Sequence, residues 1–337
     1  MTTPSAAFLD TTVFAGQQYN LASAVLESFI PVAAKSGVKI LLPDPTRREI
    51  SRQIKDRSNE AMKALDEARR KAPFLSKWKN FPPRNSLAST WEVGHLAKEE
   101  LQKFLSKLAV LHLGYEGVSL QKIMGWYDTL RAPFGEGKKR KEFPDAFAIE
   151  IVAIYAAKHN VCVAVVSDDQ DMRKACELYP SLLYFPSLPR LTELLLQNAD
   201  DLTALKTSVK KGEKLLEREI EAITGSIEFY LHDDRYEREE ESMCSPNLID
   251  VRIVGVGHNE CTVAFEAEFV SEHKLSWEEL IDPTSGYMKK VSDWLPQTNS
   301  VEGVAKLTLD PKTRAVLSVS VVEVNETEYE VRKTPHW

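Results

Sequence analysis

Six consecutive apolar residues, VCVAVV at 161–166, lie between Asn160 and the polar triplet Ser167-Asp168-Asp169. So short a run with no polar alternation fits a strand covered on both faces, which is the environment of a parallel sheet. Its neighbours support that assignment. Before it, Pro144-Asp145 opens AFAIEIVAIYAAKHN, a helix with a wide apolar face. After it, DMRKACELY reads as a short helix, LLYF as a strand, and Leu191–Gln197 as a further helix. Alternation of this kind predicts a doubly wound α/β layer structure. The same pattern appears earlier in the chain. Ala7–Leu9 is a brief strand ending at Asp10, and Leu21, Val25 and Ile30 recur at helical spacing. Val38–Leu42 is a strand closed by Pro43, and Thr46 is expected to cap the next helix, with Glu49 at capping-box spacing. Helical segments are expected over about Arg47–Arg70 and Val93–Val110, separated by a loop marked by Pro73, Pro82, Pro83 and Asn85.

The chain has 337 residues, more than one compact core usually holds. A helical, charged linker is expected over 201–241, where EREEE at 237–241 reads as a solvated face. From Leu248 the text alternates as strands do: LIDVRIVGVG, ECTVAFEAEFV, GVAKLTLD and AVLSVSVVEV. Gly257-His258-Asn259 and Asp310-Pro311-Lys312 supply turns, so 242–337 is expected to be a smaller antiparallel β-rich domain. Its Trp277, Trp294 and Trp337 are assigned to core or edge positions. Hydrophobic residues at 43% and charged residues at 28% exclude a largely disordered chain. No apolar run approaches the ~20 residues of a membrane span, and MTTPSAAFLD has no secretory pattern. The four cysteines, 162, 176, 244 and 261, form no C-x-x-C pair and are expected as reduced thiols of a cytoplasmic protein.

Acidic residues stand where the first half places its strand ends. Asp10 follows the first strand, Asp169 and Asp171 follow 161–166, Asp145 opens a helix, and Glu49 lies one turn into the helix after the second strand. Loops at the carboxyl ends of parallel strands share one crevice. Carboxylates gathered there repel one another and raise each other's pKa unless a cation neutralises them. Oxygen ligands without His or Cys favour Mg²⁺ or Mn²⁺, and such a cation activates water and polarises a phosphoryl group. Each acid has a plainer explanation as a turn or helix cap; their joint coincidence with strand ends and helix starts does not.

These phrases together resemble PIN-domain ribonucleases: FLDTTVF at 8–14, TRREI around Glu49, KKRKEFPDAFAIE at 138–150 and VVSDDQDM at 165–172. The likeness covers about residues 5–198 and is greatest to a bacterial branch with a long helical insertion and a C-terminal extension. It implies a PIN-like parallel sheet sandwiched by helices over 1–200, with a helical insertion over about 55–140. It also implies a metal-dependent endoribonuclease in which Asp10, Glu49, Asp145 and Asp169 are catalytic. Asp10, Asp145, Asp169 and Asp171 would hold Mg²⁺ or Mn²⁺, with Thr12, Glu142 and Ser167 as supporting groups; Asp168 falls at a variable position. Glu49 would complete the metal shell or orient the attacking water, and in-line attack would leave a 5′-phosphate and a 3′-hydroxyl. A toxin or phage-defence role and RNA processing both suit such a nuclease.

The net charge of −7 excludes general coating of nucleic acid but not a local cationic patch. Lys138, Lys139, Arg140 and Lys141, next to the acidic helix start, are expected to clamp phosphates. Trp126, Tyr127 and Phe134 offer rings for base stacking, although core packing is the expected role of at least two. Thr12 stands where a haloacid-dehalogenase-like phosphatase needs a second Asp, and no GxxxxGK[ST] phrase is present. Two alternatives stay open: a catalytically silent PIN scaffold that binds RNA or protein, and a nuclease acting on DNA. The β-rich domain is assigned to substrate docking, self-association or restraint by a partner protein.

Overall fold

The computed structural model describes residues 3–77, 90–198, 202–231, 235–282, 287–325 and 328–331. Two compact units divide at Leu195/Leu196.

The first unit runs β1 (Ala6–Leu9), α1 (Thr11–Gly16), α2 (Ala24–Ser36), β2 (Lys39–Pro43), α3 (Asp44–Lys71), α4 (Thr90–Ser106) and β3 (Val110–Leu113). It continues with α5 (Leu120–Asp128), α6 (Phe143–His159), β4 (Val163–Val166), α7 (Gln170–Cys176), β5 (Leu182–Phe185) and α8 (Leu188–Leu195). All five strands are parallel, in the order β3-β2-β1-β4-β5. The central strands β1 and β4 are buried at every position, which explains their continuous apolar text. Ala6, Phe8, Val163 and Val165 pack into one cluster with Ile123, Trp126, Ile149, Val152 and Met172 from α5, α6 and α7. The alternate residues face the other way, where α8 packs on β4 and β5 and against α2.

Three details differ from the expectation. α3 begins at Asp44, with Pro43 at the cap position and a proline in the first turn; Pro45 has a fixed φ and no N–H to lose, which suits that turn. Thr46 is therefore a buried helical residue, not the cap. The supposed insertion over 55–140 is not purely helical, because it contains β3, which pairs with β2 from Ile40↔Val110 to Pro43↔Leu113. That strand is short, carries His112 and lies at the sheet edge with its middle residues exposed, so it lacks the alternation that marks longer strands. Of the expected loop, Pro82, Pro83 and Asn85 lie outside the described residues.

The second unit contains α9 (Leu202–Thr224), β6 (Glu228–Tyr230), β7 (Glu237–Met243), β8 (Asn247–Val256), β9 (Glu260–Asp282), β10 (Tyr287–Leu309), β11 (Val316–Val324) and β12 (Glu328–Glu330). β7 to β11 form an antiparallel sheet; β6 and β12 pair separately. The linker expected over 201–241 is helical only to Thr224. Leu205, Val209, Leu216 and Ile220 form the buried stripe of α9, and at Gly212 the helix comes so near β11 that a Cβ would stand 2.8 Å from Val316. EREEE belongs to β7, an edge strand, where Lys274 and Lys290 bridge Glu237, Glu239 and Glu240. Cross-strand pairing thus makes a strand of a sequence with no apolar face. Trp277 is half-buried, Trp294 is 44% exposed, and Trp337 lies outside the described residues. The four cysteines are free thiols. Among the described residues no helix is long and apolar enough to cross a membrane.

A buried carboxylate in the first unit lies away from the strand ends. Glu150 on α6 is 4% exposed and accepts from Lys122 Nζ of α5 at 2.8 Å on both oxygens, while Tyr179 donates its hydroxyl to Oε2. Lys122→Met would strand that carboxylate. We expect a loss of up to about 3 kcal/mol in urea unfolding; the double variant with Glu150→Met should recover most of it.

Candidate active site

The sheet order puts a topological switch between β1 and β4, because the chain moves outward through β2 and β3 on one side and β5 on the other. Loops leaving the carboxyl ends of β1 and β4 diverge and leave a crevice. Asp10 and Ser167 are the first residues past those ends. Hydrogen bonds continue the ladder into them: Asp10 N–H donates to Val166 O at 3.0 Å and Ser167 N–H to Phe185 O at 3.1 Å.

Asp10 is 4% exposed and sits at the cap of α1 without capping it through its side chain. Two hydroxyls hold its carboxylate instead: Thr12 Oγ1 donates to Oδ2 at 2.9 Å and Ser167 Oγ donates to the same oxygen at 2.7 Å. Those hydroxyls also accept, Thr12 from Asp168 N–H at 3.2 Å and Ser167 from Asp169 N–H at 3.1 Å. Each hydroxyl has one proton, so both protons go to Asp10 Oδ2. Among the described residues, Oδ1 keeps only a 3.5 Å contact from Thr11 Oγ1, at the limit of a hydrogen bond.

Asp145 lies in the first turn of α6. Burial pushes its carboxyl up to about 8, reinforced by the charges of Asp10, Glu142 and Glu49 and by a hydrogen bond to Glu142. Asp10, Glu49, Glu142 and Asp145 therefore share one electrostatic field. Asp169 and Asp171 are differently engaged. Asp169 caps α7, its Oδ1 accepting from Asp171 N–H at 2.8 Å. Lys139 pairs with Asp171 and lies 3.9 Å from Asp169 Oδ1, and Lys174 donates to Asp171 Oδ1 at 3.0 Å. Burial acts to raise the Asp171 pKa, but the two lysines outweigh it and hold the carboxyl below its usual value.

Among the described residues, no three carboxylates, imidazoles or thiolates converge tightly enough to hold one ion with the side chains as they stand. The chemistry of the donors nevertheless fits a hard divalent cation. All are oxygens, Asp10 Oδ1 is nearly unoccupied, and the repulsion among four acids is eased by the Arg52 guanidinium 3.5 Å from Glu49 and by a proton on Asp145.

The basic segment differs from a free clamp. Lys139 is tied to Asp171, and the Arg140 guanidinium lies 5.4 Å above the Tyr127 ring. Lys141 is exposed, while the Lys138 side chain lies outside the described residues. Acids across the crevice and a ring beside it compete for these cations. Trp126 and Phe134 are core residues, and Tyr127 stacks on Phe143 at 5.2 Å.

Two residues beside the acids escaped the sequence reading. Gln53 Nε2 donates to Glu49 Oε1 at 2.9 Å, and Tyr19 donates its hydroxyl to Gln53 Oε1. Gln53 stands one helical turn after Glu49, a spacing that does predict contact. Tyr19 carries no such signal: it is placed by successive left-handed residues, Gln18 at φ 50° and Tyr19 at φ 59°. Burial pushes the Tyr19 hydroxyl up to about 12; the Arg57 charge works against this, while Glu49 and Asp10 add to it.

A parallel sheet with acids gathered at its switch point defines an α/β protein suited to a cation and a phosphate group. Residues 7–172 match the family model described as the PIN domain, and the first half of this chain is a PIN domain. PIN domains are typically metal-dependent nucleases acting on nucleic acid. No curated protein and no solved structure matches the chain.

The Asp145 pKa has a thermal consequence. Between about 4 and about 8 the folded, metal-free protein binds more protons at this group than the unfolded chain does, so its stabilising contribution fades as pH rises through that window. Asp145→Asn should flatten this part of the Tm–pH curve in chelator and raise Tm at pH 8, by about 2–4 °C for each kcal/mol relieved. Differential scanning calorimetry at pH 5 and pH 8 checks this.

Proposed function

We propose that the PIN domain is a metal-dependent endoribonuclease. The observation that carries this reading is the gathering of Asp10, Glu49, Glu142 and Asp145 into one repulsive group at the switch point. Asp10, through Oδ1, would hold Mg²⁺ or Mn²⁺ together with Asp145, Glu142 and Glu49. When bound, the cation supplies charge to the phosphoryl oxygens and acidity to a water.

The remaining tasks fall to side chains. Thr12 and Ser167 turn Asp10 so that one oxygen faces the crevice. Gln53 fixes Glu49, which orients the attacking water. Asp145 holds or releases a proton at its carboxyl close to neutral pH, so its charge can adjust to the ligand. Asp169 stays at the margin, its backbone N–H fixing Ser167 and its carboxylate capping α7 beside Lys139. In-line hydrolysis would leave a 5′-phosphate and a 3′-hydroxyl.

A second reading, a silent scaffold, is favoured by the neutralisation of Asp171 by Lys139 and Lys174 and by the spread of the ligands. One assay separates the two. Labelled single-stranded RNA and DNA are incubated with purified protein and Mn²⁺, Mg²⁺ or chelator. We expect metal-dependent RNA cleavage, reduced by Asp10→Asn to the chelator level without loss of folding. Intact RNA under every condition supports the scaffold; cleavage of DNA alone replaces the substrate.

A further inference from the structure

A cavity of about 710 Å³ opens between α3, α4 and β3. That volume lies within the range of small-ligand sites, about 300–1,000 Å³. Its floor is apolar: Leu101 is 6% exposed, and Leu105, Leu108 and Val110 are half-buried. Its rim is cationic and exposed: Arg47, Arg48, Lys98 and His112. No carboxylate lines it among the described residues. Asp44 pairs with Arg47 at 2.5 Å and Arg48 at 2.8 Å, so one anion offsets two guanidinium groups. Lys98 and His112 form no ion pair among the described residues.

Helix geometry ties this cavity to the crevice. Arg47 and Ser51 are one turn apart on α3, while Glu49 lies about 200° round the helix from each. The first turns of α3 are thus a wall, with acids on one side and the cationic cavity on the other. A nucleic-acid strand whose phosphate enters the acidic crevice must be held by positive charge elsewhere, because the crevice itself is anionic. The expected clamp is partly occupied inside the protein, through Lys139 and Arg140.

We propose that the cavity is a subsite for a nucleotide flanking the scissile bond in single-stranded nucleic acid, its phosphate on the rim and its base on the leucine floor. The inference rests on the nuclease reading above. A concave site takes a splayed base, which stacking in a duplex keeps covered. Among the described residues the lining has no Phe, Tyr or Trp and one imidazole, His112, which fits recognition by shape and charge more than by extensive stacking.

The test is fluorescence anisotropy of labelled ten-nucleotide oligouridine, and of an RNA duplex of equal length, in chelator across a salt series. Wild type is compared with Arg48→Ala/Lys98→Ala, both exposed positions. Each lost phosphate contact on a single strand lowers the slope of log affinity against log salt by about 0.7. The double variant should lose about 1.4 and bind the single strand several-fold more weakly, with the duplex less affected. An unchanged slope in a protein that still cleaves RNA with metal overturns the subsite and leaves the nuclease standing. Failure of the wild type both to bind and to cleave overturns the nuclease reading and the subsite with it.

Discussion

Parallel pairing of β1 with β4 is the constraint on which the first unit depends. Leu9 sits opposite Val166, so the next residues, Asp10 and Ser167, emerge side by side although far apart in sequence. Ser167 can then donate to Asp10 at 2.7 Å, and the carboxylate is fixed before any ligand arrives. A slip of one residue would turn the side chains to opposite faces of the sheet and separate this pair. The buried apolar strands that enforce the register are therefore also what aims the acid.

The text of 161–166 was legible because burial on both faces leaves no room for polar residues. Asp10, Asp145 and Asp169 were legible because strand ends and helix starts are local events. What local reading missed depends on contacts distant in sequence. β3 exists because β2 offers an unpaired edge; its own four residues say little. β7 is a strand because Lys274 and Lys290 meet its glutamates, although EREEE in isolation reads as solvated surface. Lys139 resembled a free cation until folding placed Asp171 against it. The division of the acids into a repelling group and a lysine-neutralised pair depends on side-chain proximity that spacing along the chain does not encode.

The distribution of charge matters more here than its sum. The chain is acidic overall, yet α3 divides its neighbourhood into an anionic crevice and a cationic cavity. Arg47 and Arg48 are held toward Asp44 by short i,i+3 and i,i+4 pairs. Such exposed pairs contribute little to stability, but they restrict where the guanidinium groups point.

The amide of Gln53 has a polarity that a carboxylate of the same shape would lack. Its oxygen takes the proton of Tyr19 and its nitrogen offers one to Glu49, so the link transmits in one direction only. Because burial keeps the Tyr19 hydroxyl protonated, the amide stays turned the same way at neutral pH. Glu49 Oε1 thus always meets a donor from this side. A glutamate at position 53, although isosteric, would face Glu49 with like charge and break the chain of orientation.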